Sequence, residues 1–144
     1  MSLTFQDYIS IKIHKTDLKL TGYIKSQLKP YNLAPEQNLI MMLLWEENGL
    51  SQNQLAVRLN KDKTNIARMA ANLEEKGFIR RSSSQTDRRS LTLFLTESGE
   101  ELKRKVLPVA EQFNEIVCEG ITTEELEQLD HLLTKMNQNI EKRE

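Results

Sequence analysis

The stretch Leu50 to Arg81, "LSQNQLAVRLNKDKTNIARMAANLEEKGFIRR", contains two helix starts, a turn and a helix stop. Ser51-Gln-Asn-Gln54 is a capping-box pattern, in which the serine oxygen accepts from the N3 amide and Gln54 reaches back to the cap. A short helix follows, with Leu55, Ala56 and Leu59 facing inward. Asn60-Lys61 predicts a turn, and Asp62 predicts the N-cap of a longer helix. The inner face of that helix is Ile66, Met69, Ala70 and Leu73, and Gly77 stands where a C′ glycine ends a helix. The stretch therefore predicts a helix–turn–helix.

Downstream, Phe78 to Arg81 and Leu91 to Leu95 are extended candidates joined by a polar segment. The second repeats leucine at every other position, Leu91, Leu93 and Leu95, as one face of a strand does. A helix–turn–helix followed by a two-stranded hairpin is a winged helix. Thr96 then caps a long helix with the stripe Leu102, Val106, Val109, Phe113 and Ile116, and Pro108 predicts a kink. After Gly120, Thr122-Thr-Glu-Glu125 is a second capping box. Leu126, Leu129, Leu133, Met136 and Ile140 then form a short heptad seam, which suggests a second copy of the chain as partner.

Upstream, Ile9, Ile13, Leu20, Ile24 and Leu28 predict a helix from about residue 5 to Lys29, ended by Pro30. Pro35 suits the first position of a second helix. That helix carries Leu39-Ile-Met-Met-Leu-Leu-Trp45, apolar all round and so expected at the centre, and Asn48-Gly49 stops it. The fold class is mainly α with a small β-hairpin, a winged helix–turn–helix plus N- and C-terminal helices.

The chain has 144 residues, 38% hydrophobic and 28% charged, which excludes a disorder-like composition. Its longest apolar run is seven residues, well short of the ~20 that a membrane span needs. Nothing resembles a signal peptide, and the lone Cys118 allows no intrachain disulfide, so the cytoplasm is the expected compartment. His14 and His131 are the only imidazoles, too few for a clustered metal site, and no cofactor or metal is expected. No phosphate-cradling glycine loop, H-E-x-x-H or G-x-S-x-G occurs, so the residues offer no catalytic foothold. The formal charge of −1 hides an asymmetry: residues 1–57 are neutral, 58–89 carry +5 and 97–144 carry −6. A basic middle points to a local anionic partner.

The order and spacing of these pieces resemble the MarR family of bacterial transcriptional regulators, over roughly Phe5 to Ile140. The family's L-T-x-x-Q is matched by Leu33-Ala-Pro-Glu-Gln37, and its D-x-R wing and L-T-x-x-G exit by Asp87-Arg88-Arg89 and Leu95-Thr-Glu-Ser-Gly99. The resemblance implies a homodimeric DNA binder, usually a repressor, often released by a small effector or by thiol oxidation. It assigns residues 1–32 and 97–144 to a helical dimerisation region and 33–96 to a winged-helix DNA-binding domain. Three family positions differ: Ala34 replaces a capping threonine, and Asn65 and Ala67 replace two threonines of the recognition helix.

On that reading, Lys63, Thr64, Asn65, Ala67 and Arg68 face double-stranded DNA, with Arg68 suited to guanine and Asn65 to adenine. Ser51, Gln52, Arg80 and Arg81 are expected near the backbone. Arg89 would enter the minor groove, held by Asp87, while Arg88 reaches phosphate or solvent. An inverted repeat with half-sites about one helical turn apart, ~10 bp, suits a dimer. Tyr8, His14, Tyr23, Met41, Met42 and Trp45 are candidates to line an effector pocket, although methionine and aromatics at helical spacing also describe plain core. Cys118 lies far from the N-terminal position of the family's reactive thiols and reads as inert. A winged-helix protein–protein adaptor without DNA binding is the alternative.

Overall fold

The computed structural model describes residues 2–83 and 90–144. A 3-10 turn at Phe5–Asp7 precedes α1 (Ile9–Leu28), and a second at Lys29–Tyr31 leads to α2 (Pro35–Glu46). Then come α3 (Gln52–Leu59), α4 (Lys63–Glu75), β1 (Ile79–Ser83), β2 (Leu91–Leu95), α5 (Glu97–Val117) and α6 (Thr123–Glu141). This is the mainly helical class with one antiparallel hairpin, as expected. The described chain divides into two compact units, Met1–Phe113 and Asn114–Glu144.

The helix starts follow from their caps. Ser51 Oγ accepts from Gln54 N at 3.1 Å, and Gln54 Oε1 accepts from Ser51 N at 2.8 Å. Asp62 accepts from Asn65 N at 2.7 Å, and Asn60 turns the chain between α3 and α4 at φ 53°. At α2 the alanine has no oxygen to offer, yet half of a box survives, because Ala34 N donates to Gln37 Oε1 at 3.1 Å. The first helix is shorter than its periodicity implied: Thr4 N and Oγ1 both bond Asp7, which separates residues 5–7 as their own turn. Pro108 sits inside α5, which runs on through it.

In the first unit the core gathers Leu28, Ile40, Met41, Leu44, Leu55, Ile66, Leu73, Ile79, Leu93 and Val106, all fully buried. Each helix and both strands contribute, so the hairpin is seated on the helices by Ile79 and Leu93. Leu91 and Leu95 are only half-buried. The chain also makes a bridge that periodicity did not reveal: Ser51 pairs with Thr92, and Leu93 N donates to Leu50 O at 2.9 Å.

Where α4, the hairpin and α5 meet, four hydrogen bonds converge. Thr96 N donates to Phe78 O at 3.1 Å, and Thr96 Oγ1 donates to Gly77 O at 2.6 Å. The same hydroxyl caps α5 by accepting from Gly99 N at 3.0 Å. From α2, Trp45 Nε1 donates to Gly99 O at 3.0 Å in a buried bond. Gly99 is required by contact, since a Cβ there would run into the Phe78 carbonyl.

The second unit holds the end of α5 and the whole of α6, which has no buried residue. Its start is a full capping box between Thr122 and Glu125. The bonds from Thr122 N and then from its hydroxyl hold the Glu125 carboxyl below its ordinary pKa.

Gly99→Ala should destabilise the protein by about 1–3 kcal/mol through overpacking, and Trp45→Phe by about 1 kcal/mol through the lost indole hydrogen bond; denaturant titration measures both. At α6, a depressed carboxyl pKa adds stability above the unfolded value and loses it as pH falls through the folded one. The Thr122 amide resonance should therefore titrate with Glu125, and Glu125→Gln should abolish that titration.

Candidate nucleic-acid interface

The outer face of α4 carries Lys63, Thr64, Arg68, Ala71 and Asn72, all exposed, with Asn65 and Ala67 half-exposed beside them. Its opposite face, Ile66, Met69, Ala70 and Leu73, is buried. Helical geometry and a four-residue anchor thus leave one polar face with small residues between the long ones. Arg68 is not loose: an Nη donates to Asn65 Oδ1 at 2.7 Å. Asn65 therefore has its side-chain oxygen engaged by Arg68. A bidentate adenine contact needs that oxygen as well as the amide nitrogen, so the pair, rather than two independent readers, occupies this face.

At the start of α3, Ser51 is engaged in its capping box and Gln52 in a second network. Arg81 on β1 donates from its backbone N to Glu74 at 2.9 Å, from Nε and an Nη to the other Glu74 oxygen at 3.3 Å, and from its other Nη to Gln52 Oε1 at 3.2 Å. Arg81 thus ties the foot of the hairpin to the end of α4 and the start of α3. Arg80 points to the other side, exposed, with its guanidinium 4.9 Å from the Phe94 ring centroid. The expected wing residues Asp87, Arg88 and Arg89 lie outside the described residues. The strands leading to them pair from Ile79↔Leu95 to Ser83↔Leu91.

Sequence reading missed Glu74, Asn48, Ser90 and Asn53. Asn48 Oδ1 accepts from Leu95 N at 2.9 Å, and buried Ser90 accepts from Asn53 N at 3.4 Å. For Asn48 and Ser90 the only signal was polarity next to a glycine or a strand end, and Glu74 and Asn53 gave none. The six candidate effector residues differ in setting. Met41 and Trp45 are core, Tyr8, His14 and Met42 are exposed, and exposed Tyr23 stacks on Phe113 at 5.8 Å. Among the described residues no group of His, Cys, Asp and Glu could hold a metal, and no helix is long and apolar enough to cross a membrane.

A helix–turn–helix with a polar second helix, closed by a hairpin and followed by a long helix, is a winged helix–turn–helix. The family model described as "MarR family" matches residues 33–91. The HTH-type transcriptional regulator YybA of Bacillus subtilis is 30% identical over 116 residues, covering 81% of this chain and 77% of its own. The transcriptional repressor MprA of Escherichia coli is 33% identical over 106 residues, covering 74% and 60%. Among solved structures, a MarR protein from Peptoclostridium difficile matches with TM-score 0.87 at 21% identity over 99% of this chain and 94% of its own. A MarR family regulator from Listeria monocytogenes, complexed with 26mer DNA, matches with TM-score 0.80 at 27% identity over 97% and 90%. The chain belongs to the MarR family, whose members are transcriptional regulators and not enzymes.

The Arg81 network gives a direct check. A double-mutant cycle of Arg81→Met and Glu74→Gln should show a coupling of about 1 kcal/mol or more, above the 0.2–1 kcal/mol of ordinary exposed pairs. Thermal unfolding of the four proteins measures it.

Proposed function

We propose that this protein is a homodimeric, sequence-specific DNA-binding repressor, released from its operator by a small effector and acting in the cytoplasm. The observation that carries the reading is the outer face of α4, where an Asn65-held Arg68 stands among small and polar residues. The 26mer DNA complex of the Listeria relative and the repressor role of MprA support it. Arg68 reads guanine in the major groove, worth about 1–3 kcal/mol for a bidentate pair. Asn65 orients it and leaves its amide nitrogen for a neighbouring acceptor. Lys63, at the amino end of α4, meets phosphate. Thr64 and Ala67 lie against base edges, and Ser51 and Arg80 approach the backbone. Gln52 and Arg81 act on DNA indirectly, by fixing where the hairpin leaves the helices. Asp87 aims Arg89 into a narrow minor groove, with Arg88 toward phosphate.

The dimer reading rests on apolar surface without a partner. Leu3, Phe5, Tyr8, Ile9, Ile13 and Leu18 are exposed in the first unit, and Ile116, Ile121, Leu129, Leu132, Leu133 and Ile140 in the second. A 31-residue unit with no buried residue in α6 is too small to hold a core of its own.

Selection of bound sequences from a random DNA pool should yield an inverted repeat with half-sites ~10 bp apart. On the selected site, Arg68→Ala should cost roughly tenfold to a hundredfold and relax one base position, whereas Lys63→Ala should lower the salt slope by about one on any sequence. Recovery of no enriched sequence would sink the reading. Leu129→Asp with Leu133→Asp should convert the dimer to monomer in analytical ultracentrifugation.

A further inference from the structure

We propose that the groove bounded by the end of α1, the turn into α2 and the end of α4 binds a small multivalent oxyanion, a phosphate ester or a polycarboxylate, through Lys25, Lys29 and Lys76. The groove measures about 460 Å³, and Lys25, Lys29 and Lys76 are among the residues that line it, while no acidic residue is. A volume of that size is in the range of small-molecule sites and leaves room for an organic body beyond the anionic group.

No salt bridge among the described residues engages the three lysines; the ion pairs are Arg58–Glu47, Lys61–Glu36, Arg81–Glu74 and Arg104–Glu101. Lys76 is half-buried and held in place, donating to Asn32 O at 2.8 Å and to Gln37 Oε1 at 2.7 Å. Both acceptors are neutral, so they fix the ammonium and leave one of its three N–H groups free. Burial pushes the Lys76 pKa below its ordinary value, as expected for a cation removed from water without a counter-charge. Three cations around one space favour an anion of more than one charge.

The groove also adjoins the recognition helix. Lys76 is the C-cap of α4, and Lys25 lines the neighbouring cleft with Arg68, Asn72 and Glu36, whose carboxylate is taken by Lys61. None of the six aromatic, histidine and methionine candidates for an effector pocket lines it. The inference stands on this geometry and does not need the DNA reading.

The test is an amide-resolved NMR titration of the full chain, without DNA, using inorganic phosphate and separately citrate, each against sodium chloride of equal ionic strength. Saturable shifts at Lys25, Lys29, Asn32, Leu33 and Lys76 are expected with at least one probe. A response to phosphate alone assigns a phosphate ester, to citrate alone a polycarboxylate, and to both an oxyanion site open to either. The doubly substituted Lys25→Gln, Lys29→Gln protein changes only exposed positions and should bind at least tenfold more weakly, as should Lys76→Met. The proposal is overturned if neither probe gives saturable shifts, if chloride reproduces them, or if the double variant leaves the midpoint unchanged.

Discussion

Thr96 makes three hydrogen bonds at one corner, and the positions of three elements depend on them. Its amide and hydroxyl take the carbonyls of Phe78 and Gly77, so the chain leaving α4 cannot swing. Its hydroxyl oxygen also starts α5 through Gly99 N. Trp45 then reaches from α2 to Gly99 O, which closes the corner from the inside. Bonds sharing donors and acceptors in a partly buried corner reinforce one another, and the inner one, from Trp45, is buried. Because Gly99 lies against the Phe78 carbonyl, its missing Cβ lets β1 and α5 approach to this distance. Without it the hairpin would have to move away from the helices, and every angle set downstream of α4 would change.

A second brace fixes the hairpin from the other end. Arg81 uses three side-chain nitrogens and its backbone amide on Glu74 and Gln52, joining β1 to α4 and α3. Buried or half-buried charges contribute little net stability, because desolvation offsets attraction. Their geometric effect is large, since a planar guanidinium accepts few arrangements. The arrangement is therefore better suited to fixing direction than to holding the fold together, which the apolar seat of Ile79 and Leu93 already does. The same logic applies to Asn65 and Arg68: one short bond costs little flexibility elsewhere and selects one rotamer of a long side chain.

Local chemistry was legible in the sequence. Ser51, Asp62, Thr96 and Thr122 all cap the helices they were expected to cap, because a cap and its target amide are three residues apart. Ile66, Met69, Ala70 and Leu73 were found by period alone, and all are buried. Contacts between distant segments were not legible. Nothing in Leu50-Ser51 announces a bridge to Thr92, and nothing in Asn48 announces a bond to Leu95. Arg81 and Gln52 were expected near the DNA backbone, and nothing in the sequence announced that folding brings them to each other and to Glu74. Lys25, Lys29 and Lys76 are far apart in sequence and form a charged groove only once α1 and α4 are placed.

The apolar residues of α2 carry the same lesson one step further. Its run from Leu39 to Trp45 reads as a helix buried on every side, yet Leu39 and Met42 are exposed while Ile40, Met41, Leu44 and Trp45 are core. The core of the first unit needs one side of α2, so the other side must be stabilised by something else or left in water. The exposed apolar residues of α1 and α6 face the same choice. At ~25 cal/mol per Å² of apolar surface, several such side chains amount to a sizeable part of the 5–15 kcal/mol by which a domain is stable. In the proposed dimer, this much apolar surface would couple the folded protomer to the assembly, and measured stability should rise with protein concentration.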